Sequence, residues 1–151
     1  MHSGPVLVDT DTLSEVSRGH ALAVSRARGY LLAHGRFTIS AVTVFERLRG
    51  YHVAIRGGKP FHRQLQAFEA LVSASLVLPF EEDAASVAAT IWAACTRAQR
   101  QSLGDILILA TSLARQLPLV TRNRKDFDGL LKVSDLSLQL IDWTGKTRTK
   151  K

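Results

Sequence analysis

Leu103–Phe127, LGDILILATSLARQLPLVTRNRKDF, carries more structural information than any other stretch of the chain. It opens as a helix start holding Asp105, continues as a buried apolar helix, and drops into a short strand at Leu117–Val120. The strand leads straight into a polar turn, Thr121-Arg122-Asn123-Arg124-Lys125-Asp126. This order predicts a carboxylate at a helix N-terminus, where the helix dipole favours it. It also predicts polar groups at the C-terminal end of a neighbouring strand. In an open α/β sheet that rim is where ligands bind. Gly104 lets the backbone turn tightly before Asp105. A plain helix-start acid is the alternative reading of Asp105, and the other acids of the chain favour the site.

Upstream, Pro5–Val8 is a compact apolar run ending in Asp9, a buried strand that delivers a carboxylate to its C-terminal end. Asp11 or Thr12 is expected to cap a short helix reaching about Ser17. Ala21–Ala33 has helical periodicity and stops at His34-Gly35. Phe37–Ile39 reads as the second strand, and Ser40 as the cap of a helix Ala41–Arg49 ending at Gly50. Glu46 lies on that helix among Val42, Phe45 and Leu48, where an isolated carboxylate is costly to bury. A surface glutamate paired with Arg47 or Arg49 is the plainer alternative. After the break Gly57-Gly58-Lys59-Pro60 come a helix Phe61–Ser73, a third strand Leu76–Leu78 and a long helix Glu81–Gln99. A last strand is expected at Leu136–Leu140. Strands alternating with helices predict one three-layer α/β domain, with a mostly parallel central sheet of 4–5 strands flanked by helices. The expected domain is residues 1–143, and the basic tail 144–151 is expected to be disordered.

In this topology Asp9, Glu46, Asp105, Asn123 and Asp126 can all converge on one rim of the sheet. Clustered carboxylates repel unless cations neutralise them, so the cluster implies a bound metal. Oxygen ligands without cysteine or clustered histidine point to Mg²⁺ or Mn²⁺. The five histidines, His2, His20, His34, His52 and His62, lack paired ligand spacing and speak against zinc. Mg²⁺ held by a few carboxylates can activate water and offset charge on a departing oxygen, which suits phosphodiester hydrolysis.

Composition narrows the class. A chain of 151 residues, 46% hydrophobic and 22% charged, suits one soluble domain with a proper core. No apolar run reaches the roughly 18 residues of a membrane span. No secretory signal is visible, and the single cysteine, Cys95, reads as a buried small hydrophobe. Together these predict a cytoplasmic protein without a membrane partner. The net charge of +7 favours a polyanionic partner, nucleic acid above all. Without the four basic residues of the tail the excess falls to about +3, so charge alone is weak support.

The residues also carry a family resemblance. Leu7-Val8-Asp9-Thr10-Asp11-Thr12-Leu13-Ser14-Glu15, Ile39-Ser40 with Glu46 and Gly50, Asp105 before Ile106-Leu107-Ile108-Leu109-Ala110-Thr111, and Leu119-Val120-Thr121-Arg122-Asn123 with Asp126-Phe127 occur in that order. Together they resemble a PIN-domain ribonuclease of the VapC toxin group, over about Val6 to Trp143. The resemblance implies a Mg²⁺- or Mn²⁺-dependent RNA endonuclease, a homodimer, inhibited by a partner antitoxin. It assigns Asp9, Glu46 and Asp105 to the metal, with Thr10, Ser40 and Thr121 supporting the site. Asn123 stands where relatives often have aspartate, and Asp126 is the alternative source of that charge. Asp11 departs from the asparagine common at its place; its charge either tunes metal affinity or caps a helix, and the cap is favoured. Arg122 and Arg124 flank the site and are candidates to grip phosphates.

Two other readings compete. Asp9-Thr10-Asp11-Thr12 nearly matches the opening motif of haloacid-dehalogenase-type phosphatases, with Asp9 as nucleophile and Asp11 as acid/base. Leu13 stands where threonine or valine belongs, and Gly104-Asp105 precedes Thr121, the reverse of that family's order. The chain could also be a catalytically silent binding module of the same fold. Asn123 gives that reading footing, while the retained Asp9, Glu46 and Asp105 oppose it.

Overall fold

The computed structural model describes residues 3–145; the basic run 146–151, part of the expected tail, lies outside them. The described residues form five strands and eight helices in the order β1 (Leu7–Val8), α1 (Thr10–Ser17), α2 (Ala21–His34), β2 (Thr38–Ser40), α3 (Ala41–Arg56), α4 (His62–Ser73), β3 (Leu76–Leu78), α5 (Glu82–Ala94), α6 (Arg97–Arg100), α7 (Leu103–Arg115), β4 (Leu119–Val120), α8 (Arg124–Ser134) and β5 (Leu140–Ile141).

The strands make one sheet of order β3-β2-β1-β4-β5, with every pair parallel. Parallel sheets need both faces covered, and alternation along the strands supplies two apolar faces. Leu7 and Leu119 point into a core shared with Ile91 of α5, Ile106, Ile108 and Leu109 of α7 and Phe127 of α8. Val8 and Val120 point the other way, toward Leu13 of α1, Ala23 and Ala27 of α2, and Trp143. The result is the expected three-layer α/β arrangement.

Strand order positions the site. From β1 the chain moves outward through β2 to β3, then returns to add β4 and β5 on the other side of β1. The order therefore reverses between β1 and β4, and a crevice opens at the C-terminal ends of such a strand pair. Asp9 and Thr121 directly follow those ends.

Several local expectations are corrected. The segment after β4 is not an extended polar turn, because helix α8 begins at Arg124. Parallel β4 and β5 require a crossover, and Phe127, Leu130 and Leu131 supply its buried face. The last strand is Leu140–Ile141 rather than Leu136–Leu140, since Leu136 and Leu138 pack as side chains against the core before the chain reaches the sheet edge. Helix α3 passes through Gly50 and runs on to Arg56. The expected helix Glu81–Gln99 breaks after Ala94, where Cys95 and Thr96 adopt extended backbone. Thr96 and Gln99 then form a capping box that starts α6. The cap of α1 is Asp9 itself, not Asp11 or Thr12.

At the far end, Trp143 is buried against Tyr30 and Phe37. Arg26 Nη1 donates to the carbonyls of Asp142 (2.8 Å) and Gly145 (2.7 Å), so ordered contacts run to the last described residue. Among the described residues, no helix is long and apolar enough to cross a membrane.

Candidate functional site

Asp9, Thr10, Asp11, Glu46, Asp105 and Asn123 line one open cavity of about 300 Å³ at the β1/β4 crevice. Three separate elements bring the carboxylates there. Asp9 ends β1 and caps α1: its Oδ1 accepts from the Thr10 backbone N–H at 2.8 Å. Glu46 projects from α3, whose start is fixed by Ser40. The Ser40 hydroxyl accepts from the Thr43 N–H (3.0 Å) and donates to Thr43 Oγ1 (3.1 Å). Asp105 occupies the first turn of α7.

Thr121 closes the crevice from the β4 side. Its Oγ1 lies 3.1 Å from Asp9 Oδ2 and 3.3 Å from Asp11 Oδ2, while accepting from the Asn123 N–H at 3.0 Å. A hydroxyl carries one proton, so the two carboxylates compete for it. The Arg122 N–H adds a donor to Asp11 Oδ2 at 3.2 Å. Ser40, Thr10 and Thr121 thus all sit in or behind the site, Thr10 with a buried Oγ1 that has no hydrogen-bond partner.

Burial and mutual charge outweigh what the protein offers to relieve the carboxylates. Burial pushes Asp9 up to about 8, helped by the charges of Asp11 and Asp105 and opposed by its bonds from Thr10 and Thr121. Asp105 is pushed up to about 6, first by burial and then by Glu46, Asp126 and Asp11. Burial also raises Glu46, against the pull of Arg49. Asn123 lines the cavity; Asp126 does not, and it stands exposed in the first turn of α8. Arg122 is held at the surface by a 2.8 Å ion pair with Glu15, and Arg124 is exposed nearby.

Sequence reasoning missed two features. Of its two readings of Asp11 it favoured the helix cap, whereas Asp9 is the cap and the Asp11 carboxylate lines the cavity. It gave Gly104 a turn role, whereas the glycine leaves room for Glu46: a Cβ at 104 would collide with the Glu46 carboxylate. The first was legible in the close spacing of Asp9 and Asp11. The second joins residues on different helices and leaves no local signal. A neighbouring cavity of about 390 Å³ shares Glu46 and Asp105, and its wall includes Phe45, Arg49 and Leu103.

The donor set suits a hard divalent cation: oxygen ligands only, like charges lining one cavity, and an unpaired hydroxyl at the wall. Among the described residues, no three acidic, histidine or cysteine side chains gather tightly enough to hold an ion by direct ligation alone. Mg²⁺ does not require that, since it keeps several waters and takes only one or two carboxylates.

No curated protein matches the chain in sequence. Among solved structures, 27 chains match. The chain is similar to FitAcB from Neisseria gonorrhoeae (23% identity, TM-score 0.69, covering 91% of this chain and 97% of that one). It is similar to VapBC-1 from nontypeable Haemophilus influenzae (22%, TM-score 0.70, covering 94% and 100%). It is also similar to a toxin-antitoxin complex from Klebsiella pneumoniae (26%, TM-score 0.61, covering 82% and 91%). The PIN domain model matches residues 6–130, from the strand that ends in Asp9 to the helix beyond Asn123, and the chain belongs to the PIN domain family.

Proposed function

We propose that this protein is a Mg²⁺- or Mn²⁺-dependent endoribonuclease, the toxin of a toxin–antitoxin pair. The observation that carries the reading is the convergence of Asp9, Glu46 and Asp105, from three elements, on one open cavity at the sheet's switch point. These three acids would hold the cation, one or two directly and the rest through its bound waters, and the cation when bound would activate a water and offset charge on the departing oxygen. The chain's own residues prepare that step. Thr121 and the Thr10 N–H fix both oxygens of Asp9. Ser40 sets the start of α3 and thereby the reach of Glu46. Asn123 presents an uncharged amide to the cavity, and the exposed Arg122 and Arg124 on either side of it in the chain would grip substrate phosphates. The openness of the site and the adjoining cavity along Glu46 and Asp105 suit a strand that continues past the scissile bond.

The toxin assignment rests on the company the fold keeps. One similar structure is a toxin-antitoxin complex from Klebsiella pneumoniae, others are VapBC from Salmonella typhimurium and VapBC2 from Rickettsia felis bound to DNA, and they support a cognate antitoxin as this chain's partner. A homodimer acting on RNA in the cytoplasm, with residues 1–143 as the catalytic unit, completes the reading. The test is cleavage of a mixed RNA pool with Mg²⁺, Mn²⁺ or EDTA, alongside Asp9→Ala and Asp105→Ala. Metal-dependent cutting lost in both variants is expected. Equal behaviour of wild type and variants, with turnover of p-nitrophenyl phosphate, would favour a phosphatase. A metal-dependent rise in melting temperature without cleavage of any RNA would favour a silent binding module.

A further inference from the structure

We infer that Asp11, rather than Asn123 or Asp126, supplies the fourth carboxylate of the cation site. This rests on the cation-dependent reading above and concerns how the chain completes that site. A nuclease centre built on Asp9, Glu46 and Asp105 has one wall left, formed by the start of α1 and the loop after β4. On that wall Asn123 is present but neutral, and Asp126 is charged but outside the cavity and exposed. Asp11 is both charged and part of the lining.

Its geometry is that of a placed group. Oδ2 faces the Thr121 hydroxyl (3.3 Å) and the Arg122 N–H (3.2 Å), and Oδ1 accepts from Thr12 Oγ1 at 3.3 Å. The role of helix cap, which would give Asp11 a purely structural reason to be there, belongs to Asp9. Thr121 binds Asp9 and Asp11 together, so the two carboxylates share one hydroxyl at the cavity wall. Two acids tied to one hydroxyl repel, their other protein partners are neutral donors, and a cation in the cavity would relieve both.

Asp11→Asn separates charge from structure, because the amide oxygen can still accept from Thr121 and Arg122. Mn²⁺ binding to the purified full chain, followed calorimetrically, should weaken roughly tenfold or more in Asp11→Asn. Asp126→Asn should weaken it by less than about threefold, since exposed charges are screened. Asp9→Asn, the reference variant, should abolish measurable binding. The melting temperature of Asp11→Asn in EDTA should equal or exceed that of wild type, because a repulsion is removed, the Thr121 and Arg122 bonds are kept, and the Thr12 hydroxyl can accept from the new amide instead of donating to Oδ1. Wild-type Mn²⁺ affinity in Asp11→Asn, with Asp9→Asn defective, would overturn the inference and leave the cation site standing. So would a larger loss in Asp126→Asn than in Asp11→Asn. Absence of Mn²⁺ binding by wild type would overturn the cation reading itself.

Discussion

Thr121 Oγ1 donates to Asp9 Oδ2 at 3.1 Å, joining residues 112 positions apart at the C-terminal ends of two neighbouring parallel strands. The contact is buried, and it welds the wall that begins the chain to the wall that nearly ends it. Everything proposed for the cavity depends on those walls keeping their spacing.

Replacing Thr121 by valine keeps the shape and removes the donor. Asp9 Oδ2 and the Asn123 N–H then lose their shared partner. A loss of about 1–3 kcal/mol is expected, the usual cost of an unsatisfied buried group. Urea unfolding in EDTA measures it, and nuclease activity should fall further than stability does.

Gly104→Ala separates the site from the fold in the opposite sense. A methyl group there collides only with the Glu46 side chain, whose flexible end can swing away. Alanine also favours the first turn of α7 by up to about 1 kcal/mol over glycine. The expected outcome is an unchanged or raised melting temperature with a large drop in RNA cleavage. Wild-type activity in Gly104→Ala would show that Glu46 does not need its observed position.

The acids dictate a pH dependence. Asp9 at about 8 and Asp105 at about 6 both lie above their ordinary value, so the folded chain holds their protons more tightly than the unfolded chain does. Stability of the metal-free protein therefore falls as pH rises from about 4, with the Asp105 share spent near 6 and the Asp9 share near 8. Cations compete with those protons, so Mn²⁺ affinity should climb through the same window. Unfolding curves from pH 4 to 9, with EDTA and with Mn²⁺, should diverge as pH rises, and parallel curves would contradict this origin of the shifts.

Trp143 lies beyond the last residue matched by the family model, yet it is buried between Tyr30 and Phe37 at centroid distances of 5.8 and 6.3 Å. Trp143→Ala should cost about 3–5 kcal/mol, as for other large core aromatics. A change within 0.5 kcal/mol of zero, the scale of surface substitutions, would mean that the folded unit ends before it.

Much of this was legible because the relevant signals are local. A buried run ending in Asp9, a capped helix carrying Glu46 and a glycine before Asp105 each announce themselves within a few residues, and the β/α alternation gives the parallel sheet. Helix α8 was not read, because its first turn, Arg124-Lys125-Asp126, is polar and Asn123 makes no capping bond. The spacing of Phe127, Leu130 and Leu131 held the missing evidence. Gly50 reads as a helix stop in the sequence, but its φ is not positive, unlike that of Gly35 at 80°. The shared hydroxyl of Thr121 and the fit of Gly104 against Glu46 are tertiary facts with no trace in any single segment.

The most direct test of the central claim is the chemistry of the ends left on a labelled RNA cut by the purified protein. A cation-activated water attacking phosphorus, with one ribose oxygen leaving as a hydroxyl, predicts linear phosphate monoester ends that require Mg²⁺ or Mn²⁺ and vanish in Asp9→Ala. Products ending in 2′,3′-cyclic phosphate, formed equally well in EDTA or by Asp9→Ala, would contradict the account.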